Sequence, residues 1–275
     1  TFERRPLAAR ASAVTAILNG TSNSILTAMA AGTSFDTALA NAQRLGLAEP
    51  DPSMDIGGAD TAEKLTILLR LFGGLLVDPG SLPLEGISGV EPEDIAAATS
   101  FDGAIRPIAH ASWQGSAVRA FVSPAFVGGL HALARVAGVT NGIVIKGERG
   151  TQCYIGPGAG PDVTAATLLD DVAEVVTDRR VRPPSPNQTR EATSIARPDS
   201  AWFLRLAGTA SDSDVADLLG SYGIWCSRIA RRGDRTFVVT CPASHGRISS
   251  ALDALQAATG ATASAYPALL EDGAC

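Results

Sequence analysis

Between Arg179 and Ser200 the sequence reads RRVRPPSPNQTREATSIARPDS, four prolines with almost no large apolar side chain among them. Proline fixes φ and removes a backbone donor, so neither a helix nor a central strand continues through such a run. The chain is therefore expected to fold as two units, residues 1–180 and 201–275, joined by a linker over 181–200. A length of 275 residues suits that division at roughly 150 residues per domain.

A hydrophobic content of 45% against 18% charged residues excludes wholesale disorder. The most apolar stretch, Leu65 to Val77, is interrupted by Arg70 and Gly73-Gly74 and falls short of the ~20 residues that span a bilayer. It reads as a buried helix, and no membrane association is expected. With 22 basic and 28 acidic residues the net charge is −6, which gives no footprint for nucleic acid or an anionic membrane. Small molecules or other protein chains are the expected partners. The four cysteines, Cys153, Cys226, Cys241 and Cys275, are widely spaced and form no zinc signature, so a reduced, cytoplasmic protein without a bound metal is expected. The opening Thr-Phe-Glu-Arg-Arg has neither the apolar core of a secretory signal nor an initiator methionine, and further residues are expected upstream.

Periodicity places a short strand over Val14–Leu18, ended by Asn19-Gly20, and a helix from Ser22 to Ala31 stopped by Gly32. Ser34 is an expected N-cap for a second helix, FDTALANAQRLG, with Gly46 as its C′ glycine. The loop LAEPDPSMDIGG then feeds an apolar helix from Asp60 to about Leu71. Ile105–Val127 and Gly142–Ile155 read as antiparallel strands turning at Gln114-Gly115 and Gly147, and Asp162–Val176 as a helix. The fold class expected for this part is α+β, a mixed or antiparallel sheet with helices on one face. The tail reads strand 202–206, helix 212–222, strand 224–230, strand 235–240, helix 248–259 and strand 261–265. That is the βαββαβ order of a ferredoxin-like domain, expected to add a second sheet.

Chemistry concentrates between Asn19 and Lys64. Glu49, Asp51, Asp55 and Asp60 place four carboxylates around one turn, and Lys64 follows Asp60 by four residues, on the same helix face. Two readings stand: a solvated acidic loop with Asp60 at the helix dipole, or a proton-transfer site. The chain has 20 arginines and only two lysines, Lys64 and Lys146. A merely solvated ion pair would ordinarily use the arginine this chain favours. Lysine, unlike arginine, loses its proton at accessible pH when desolvated, which suits proton transfer at the mouth of a dry pocket. Lys146 and the histidines His110 and His245 are given no chemical role, and His131 reads equally as a gate or a satisfied histidine.

The stretch ILNGTSNSILTAMAAGTSFDTALANAQRLGLAEPDPSMDIGGADTAEKLTIL resembles the catalytic region of homoserine dehydrogenases, whose pattern is NGT-[TS]-N-x-IL followed by G-x-AE-x-DP-x-x-D-x-x-G-x-D-x-x-x-K. The similarity continues through HALARVAGVTNGIVIKGERGTQCYIGPGAG and covers about residues 6–178. The tail from Ala201 resembles the regulatory ACT domain of bacterial members. The resemblance implies interconversion of aspartate semialdehyde and homoserine by hydride transfer with NAD(P), a small amino-acid substrate, and a homodimer paired through residues 105–155. It implies Lys64 as proton donor and acceptor, Asp60 orienting it, and Glu49 and Asp55 holding the substrate ammonium. Asn19, Gly20 and Thr21 would form the turn beside substrate and nicotinamide, and Gly156, Gly158 and Gly160 would let backbone approach the cofactor.

Three departures accompany the match. Members of the family begin with a Rossmann domain carrying G-x-G-x-x-G and a second active-site lysine, neither of which lies in this sequence, so activity is expected only where such a domain is supplied. Leu47 stands where the family usually has tyrosine, and the tail's loop from Gly208 to Val215 lacks the proline and second glycine of the effector turn. The competing expectations are a cofactor-free enzyme doing proton-transfer, aldol or elimination chemistry on an amino-acid-derived substrate, and a non-catalytic dimerising or regulatory subunit.

Overall fold

The computed structural model describes residues 11–148, 150–158, 160–177, 189–208, 211–260 and 262–270. In chain order the elements of the first part are β1 (Ala11–Ile17), α1 (Gly20–Ala30), α2 (Phe35–Arg44), α3 (Ser53–Ile56), α4 (Ala59–Gly73), β2 (Leu75–Leu76), α5 (Pro92–Ser100), β3 (Gly103–Gln114), β4 (Ala117–Gly128), β5 (Thr140–Gly147), β6 (Gly150–Pro157) and α6 (Pro161–Val176). They are followed by β7 (Arg190–Glu191), β8 (Ser194–Ala196), β9 (Ala201–Ala207), α7 (Asp212–Ser221), β10 (Cys226–Arg232), β11 (Arg235–Thr240), α8 (His245–Thr259) and β12 (Ala263–Leu269).

Local chemistry explains the boundaries. Ser34 caps α2, its hydroxyl accepting from Thr37 N–H at 3.3 Å, and the chain leaves that helix through Gly46 at φ +72°. Glu91 and Asp94 form a capping box at α5, with Pro92 in the first turn where its missing N–H costs nothing. Along β3, Ala109 and Ala111 face one side and Ile108 the other, the period of two that a sheet covered on both faces requires.

The strands run in the order β10-β11-β9-β12-β4-β3-β1-β5-β6, and β8 adds beside β4. The tail thus does not form a second sheet, as the sequence suggested. Its last strand, β12, pairs in parallel with β4 at Ala268–Phe126 and Leu269–Val127, carrying the four-stranded β10-β11-β9-β12 array into the first sheet. Residues 181–188 of the expected linker lie outside the described residues. Two stretches of the rest are paired: Arg190–Glu191 with Leu75–Leu76, and Ser194–Ala196 with Ala117–Arg119.

Helices α1, α4 and α5 cover one face of β3, β4 and β1, with Ile25, Leu65, Leu69 and Ala98 fully or almost fully buried. On the other face Ile17, Ile108 and Phe121 pack under Leu133 and Val136. In the tail, Trp202, Leu204 and Leu206 of β9 pack on α7 and α8, while Phe203, one residue out of phase, enters the core of α1 and α5. A charged clasp ties the two parts together. Arg205 of β9 meets Asp94 at 2.5 Å and Glu91 at 2.9 Å, Arg235 of β11 also meets Glu91, and the Tyr266 hydroxyl donates to Gly89 O at 2.9 Å.

Helix α6 departs from the expectation of helices packed on the sheet. None of its residues is buried, and Leu168, Leu169, Val172, Val175 and Val176 are all exposed.

Candidate active site

β1 ends by delivering Leu18 and Asn19 to the start of α1. Asn19 is extended, and its Oδ1 caps the helix by accepting from Ser22 N–H at 2.8 Å. Its Nδ2 donates to Asp55 Oδ1 at 2.7 Å and to Asp60 Oδ2 at 2.9 Å. One buried amide therefore joins a helix cap to two carboxylates. Asp60 lies in the first turn of α4, and Lys64, one turn later, donates from Nζ to Asp60 Oδ2 at 2.8 Å and to Leu18 O at 3.3 Å.

The turn that sets Asp55 against Asp60 depends on glycine. Gly58 sits at φ +87° as the N-cap of α4, where a Cβ would lie 2.8 Å from Leu84 Cδ1, and a Cβ on Gly57 would lie 2.6 Å from Ser53 O. Short α3, absent from the sequence reading, holds Asp55 in place because Ser22 Oγ donates to Asp55 O at 2.9 Å. Thr21 Oγ1 donates to Leu47 O at 2.5 Å, which fixes the loop entering the acidic stretch.

The glycine turn after β6 reaches the same place from the other side. Asn141 of β5 donates to Leu18 O at 3.5 Å, the carbonyl that also receives Lys64. A Cβ at Gly158 would fall 2.3 Å from Asn141 Cγ, so that backbone approach demands glycine. Gly160, at φ +122°, starts α6, while a Cβ at Gly156 would meet nothing. Gly20 is more mildly constrained, its Cβ lying a tight 3.1 Å from Val139 O.

The structure thus brings together Asn19, Gly20, Thr21, Asp55, Asp60, Lys64 and Gly158. It does not bring in Glu49. That residue is exposed on the loop after α2, its carbonyl accepting from Gln43 Nε2 at 3.2 Å, and among the described residues its carboxylate joins none of these contacts. Nor is Lys64 at the mouth of a dry pocket: its side chain is 47% exposed, because Leu65, Leu68 and Leu69 take the buried face of α4. Two carboxylates against one ammonium leave the bonded cluster with one net negative charge, an environment that favours a cationic ligand.

Residues 2–173 match the sequence profile of homoserine dehydrogenases. The chain belongs to the homoserine dehydrogenase family. The homoserine dehydrogenase of Pseudomonas aeruginosa is 31% identical over 89% of this chain and 61% of its own length, and that of a Synechocystis strain 38% identical over 61% and 40%. The solved homoserine dehydrogenase of Thiobacillus denitrificans superposes with a TM-score of 0.85 at 28% identity, covering 97% of this chain and 66% of that one. A hyperthermophilic archaeal homoserine dehydrogenase mutant, solved in complex with NADPH, gives a TM-score of 0.50 at 29% identity over 62% of this chain and 48% of that one. The chain spans 40% to 66% of these relatives' lengths.

Within this homoserine dehydrogenase family chain, sequence reasoning missed Ser22, Asn141 and Glu85. Ser22 is half of the SN pair that follows Asn19-Gly20-Thr21, and its hydroxyl position was legible as part of a helix start. Asn141 was hidden because Asn-Gly at a strand start reads as turn chemistry. Glu85 accepts from the Ser123 hydroxyl at 3.2 Å and, with Ser22 and Asp55, lines a cavity of about 10 Å³, the volume of one water. Burial pushes its carboxyl above the ordinary range. His131 proves to be a satisfied cap: its Nδ1 accepts from Leu133 N–H at 3.2 Å.

Proposed function

We propose that this chain supplies the substrate-binding and proton-transfer half of a homoserine dehydrogenase, active when a dinucleotide-binding domain is supplied. The observation that carries the reading is the Asn19 amide joining Asp55 and Asp60, with Lys64 bonded to Asp60. When bound, NAD(P) supplies the hydride acceptor or donor. The Lys64 Nζ then donates a proton to the aldehyde oxygen of aspartate semialdehyde, or takes it from the homoserine hydroxyl in reverse. Asp60 keeps that ammonium oriented, and the half-exposed Nζ exchanges its proton with solvent. Asp55 spends one oxygen on Asn19 and offers the other to the substrate ammonium, with Glu49 turning in from its loop. The excess negative charge of the cluster supports this assignment.

The cofactor's reacting end fits what is present. Asn141 Oδ1 is buried without a hydrogen-bond partner, and Gly158 packs so closely on that amide that a Cβ there would collide with it. Gly156, Gly158, Gly160 and Asn141 would hold that end. Within these 275 residues no G-x-G-x-x-G follows a strand, and the unpacked α6, which leaves from the glycine turn, is an apolar face suited to a docked dinucleotide-binding domain. The family match favours this reading over a cofactor-free enzyme or a non-catalytic subunit.

We read the tail as ACT-like on the strength of its β10-β11-β9-β12 order, and the reduced cysteines as cytoplasmic. No described helix is long and apolar enough to cross a membrane. A homodimer through residues 105–155 would cover exposed Ile155. Calorimetry tests the central reading. Homoserine is expected to bind saturably to the chain alone, with Asp55→Asn weakening it by roughly tenfold or more. NAD(P)H is expected to show no micromolar binding until the dinucleotide-binding domain is added. Undiminished homoserine binding by Asp55→Asn would return the cluster to a solvated loop.

A further inference from the structure

The loop between β2 and α5 carries a half-buried carboxylate, Glu85, against the back of the acidic turn. The loop is fixed to β4: Val122 N–H donates to Pro83 O at 2.9 Å, and Glu85 N–H donates to Val122 O at 2.8 Å. Gly86 then presses on the turn itself, where a Cβ would lie 2.5 Å from Ile56 O and 3.0 Å from Gly57 Cα. A rigid strand thus backs the segment that sets Asp55.

Between loop and turn lies the cavity of about 10 Å³, with Ser22, Asp55, Thr61, Glu85 and Ser123 as its polar lining. The rest of its wall is glycine, proline and aliphatic side chain. A space of this size takes about one water, which is retained where roughly two to four polar groups meet it. The Ser22 hydroxyl gives its hydrogen to Asp55 O, and an ionised carboxylate has none to give, so Ser22 and Glu85 both meet the space as acceptors. A water donates to both. A side chain kept there for packing alone would be aliphatic like its neighbours, because a carboxylate loses hydration on burial. That loss pushes the Glu85 carboxyl upward, against the pull of the Ser123 hydroxyl and of Arg197 at the end of β8.

We propose that Glu85 is a positioning residue: through one water in this cavity it holds the Asp55 turn in register with Asn19, a role in the reaction that rests on Asp55 receiving the substrate ammonium. The fixed loop and β4 supply the rigidity, and the water carries it to Ser22 and so to Asp55 O. Glu85 itself touches neither substrate nor cofactor.

The test combines calorimetry with the side-chain amide resonances of the full chain. Glu85→Ala is expected to weaken homoserine by about tenfold. Glu85→Gln, which keeps an acceptor in the same volume, is expected to stay within about threefold of the unaltered chain. In an Asp55→Asn background the Glu85→Ala loss is expected to vanish, because the two residues act through one contact. The Asn19 Nδ2 signals, which report its bond to Asp55, are expected to move in Glu85→Ala while those of Asn41, exposed on α2, stay in place. Unmoved Asn19 signals would overturn the proposal, as would equal losses in Glu85→Ala and Glu85→Gln or a Glu85→Ala loss that persists in full beside Asp55→Asn. If the unaltered chain binds no homoserine, the functional reading fails, and the Asn19 signals alone decide whether Glu85 holds the turn.

Discussion

The Asn19 amide makes three hydrogen bonds whose partners are all drawn from different turns of chain: Ser22 N–H, Asp55 and Asp60. Asn19→Ala removes a helix cap and leaves the two carboxylates facing each other, and it is expected to cost about 2 kcal/mol in urea unfolding at pH 7. A loss of no more than about 1 kcal/mol would mean that only the cap matters. Lys64→Arg asks a different question of the same cluster. The ion pair with Asp60 is about half-exposed and contributes less than about 1 kcal/mol, so the melting temperature should hardly move. Turnover of the enzyme completed with its dinucleotide-binding domain should fall by roughly 10²- to 10⁴-fold, because guanidinium does not release a proton in the accessible range. Comparable activity would remove Lys64 from the proton path.

At the level of elements, the α5 clasp makes stability depend on pH in a direction that can be worked out. Burial pushes Asp94 up to about 6, against the opposing pull of the Glu91 N–H and the Arg205 guanidinium. A folded-state value above the unfolded value of about 4 means that its stabilisation is complete below pH 4 and is lost as pH rises to about 6. Above that, the ionised carboxylate rests on Arg205. Arg205→Met should therefore cost about 3–5 kcal/mol at pH 8 and much less at pH 4.5, where the carboxyl is neutral. Equal losses at both pH values would show that packing, not charge, is what Arg205 provides. The clasp was invisible in the sequence, since Asp94 and Arg205 are far apart along the chain and each reads as an ordinary surface charge. Elements fixed by local signals were legible: Ser34 with Gly46 brackets α2, and Gly158 and Gly160 mark the entry to α6. Helix α3 was not, because its four residues between Pro52 and Gly57 carry no periodicity. The exposure of α6 was not either, because apolar residues at helical spacing look the same whether or not anything covers them. In the site, Asp60 and Lys64 were legible from an i,i+4 spacing, whereas the joining role of Asn19 depends on a long-range approach of α3 and α4.

For the whole molecule, the pairing of β12 with β4 decides how the chain unfolds. The proline-rich break separates two units along the sequence, and their cores are joined: Ile25, Leu26, Ala98, Ile105 and Phe126 from the first part share one buried cluster with Phe203, Phe237, Tyr266 and Ala268 from the tail. Phe203 stacks on Phe126 at 5.5 Å between ring centroids and meets Phe101 edge-on at 6.3 Å. Aromatic side chains of this kind bury about 150–250 Å² each, at roughly 25 cal/mol per Å² of apolar surface, so separating the parts would expose several kcal/mol of core. The α5 clasp would be broken at the same time, leaving Asp94 and Arg205 without their partners. Such coupling should merge the two parts into one cooperative unit, seen in calorimetry as a single transition with equal calorimetric and van't Hoff enthalpies. Phe203→Ala tests the source of the coupling: a loss of about 3–5 kcal/mol should lower the midpoint of that one transition. Two resolved transitions in the unaltered chain, or a Phe203→Ala variant in which only the tail melts earlier, would mean that the continuous sheet joins the parts without making them fold as one.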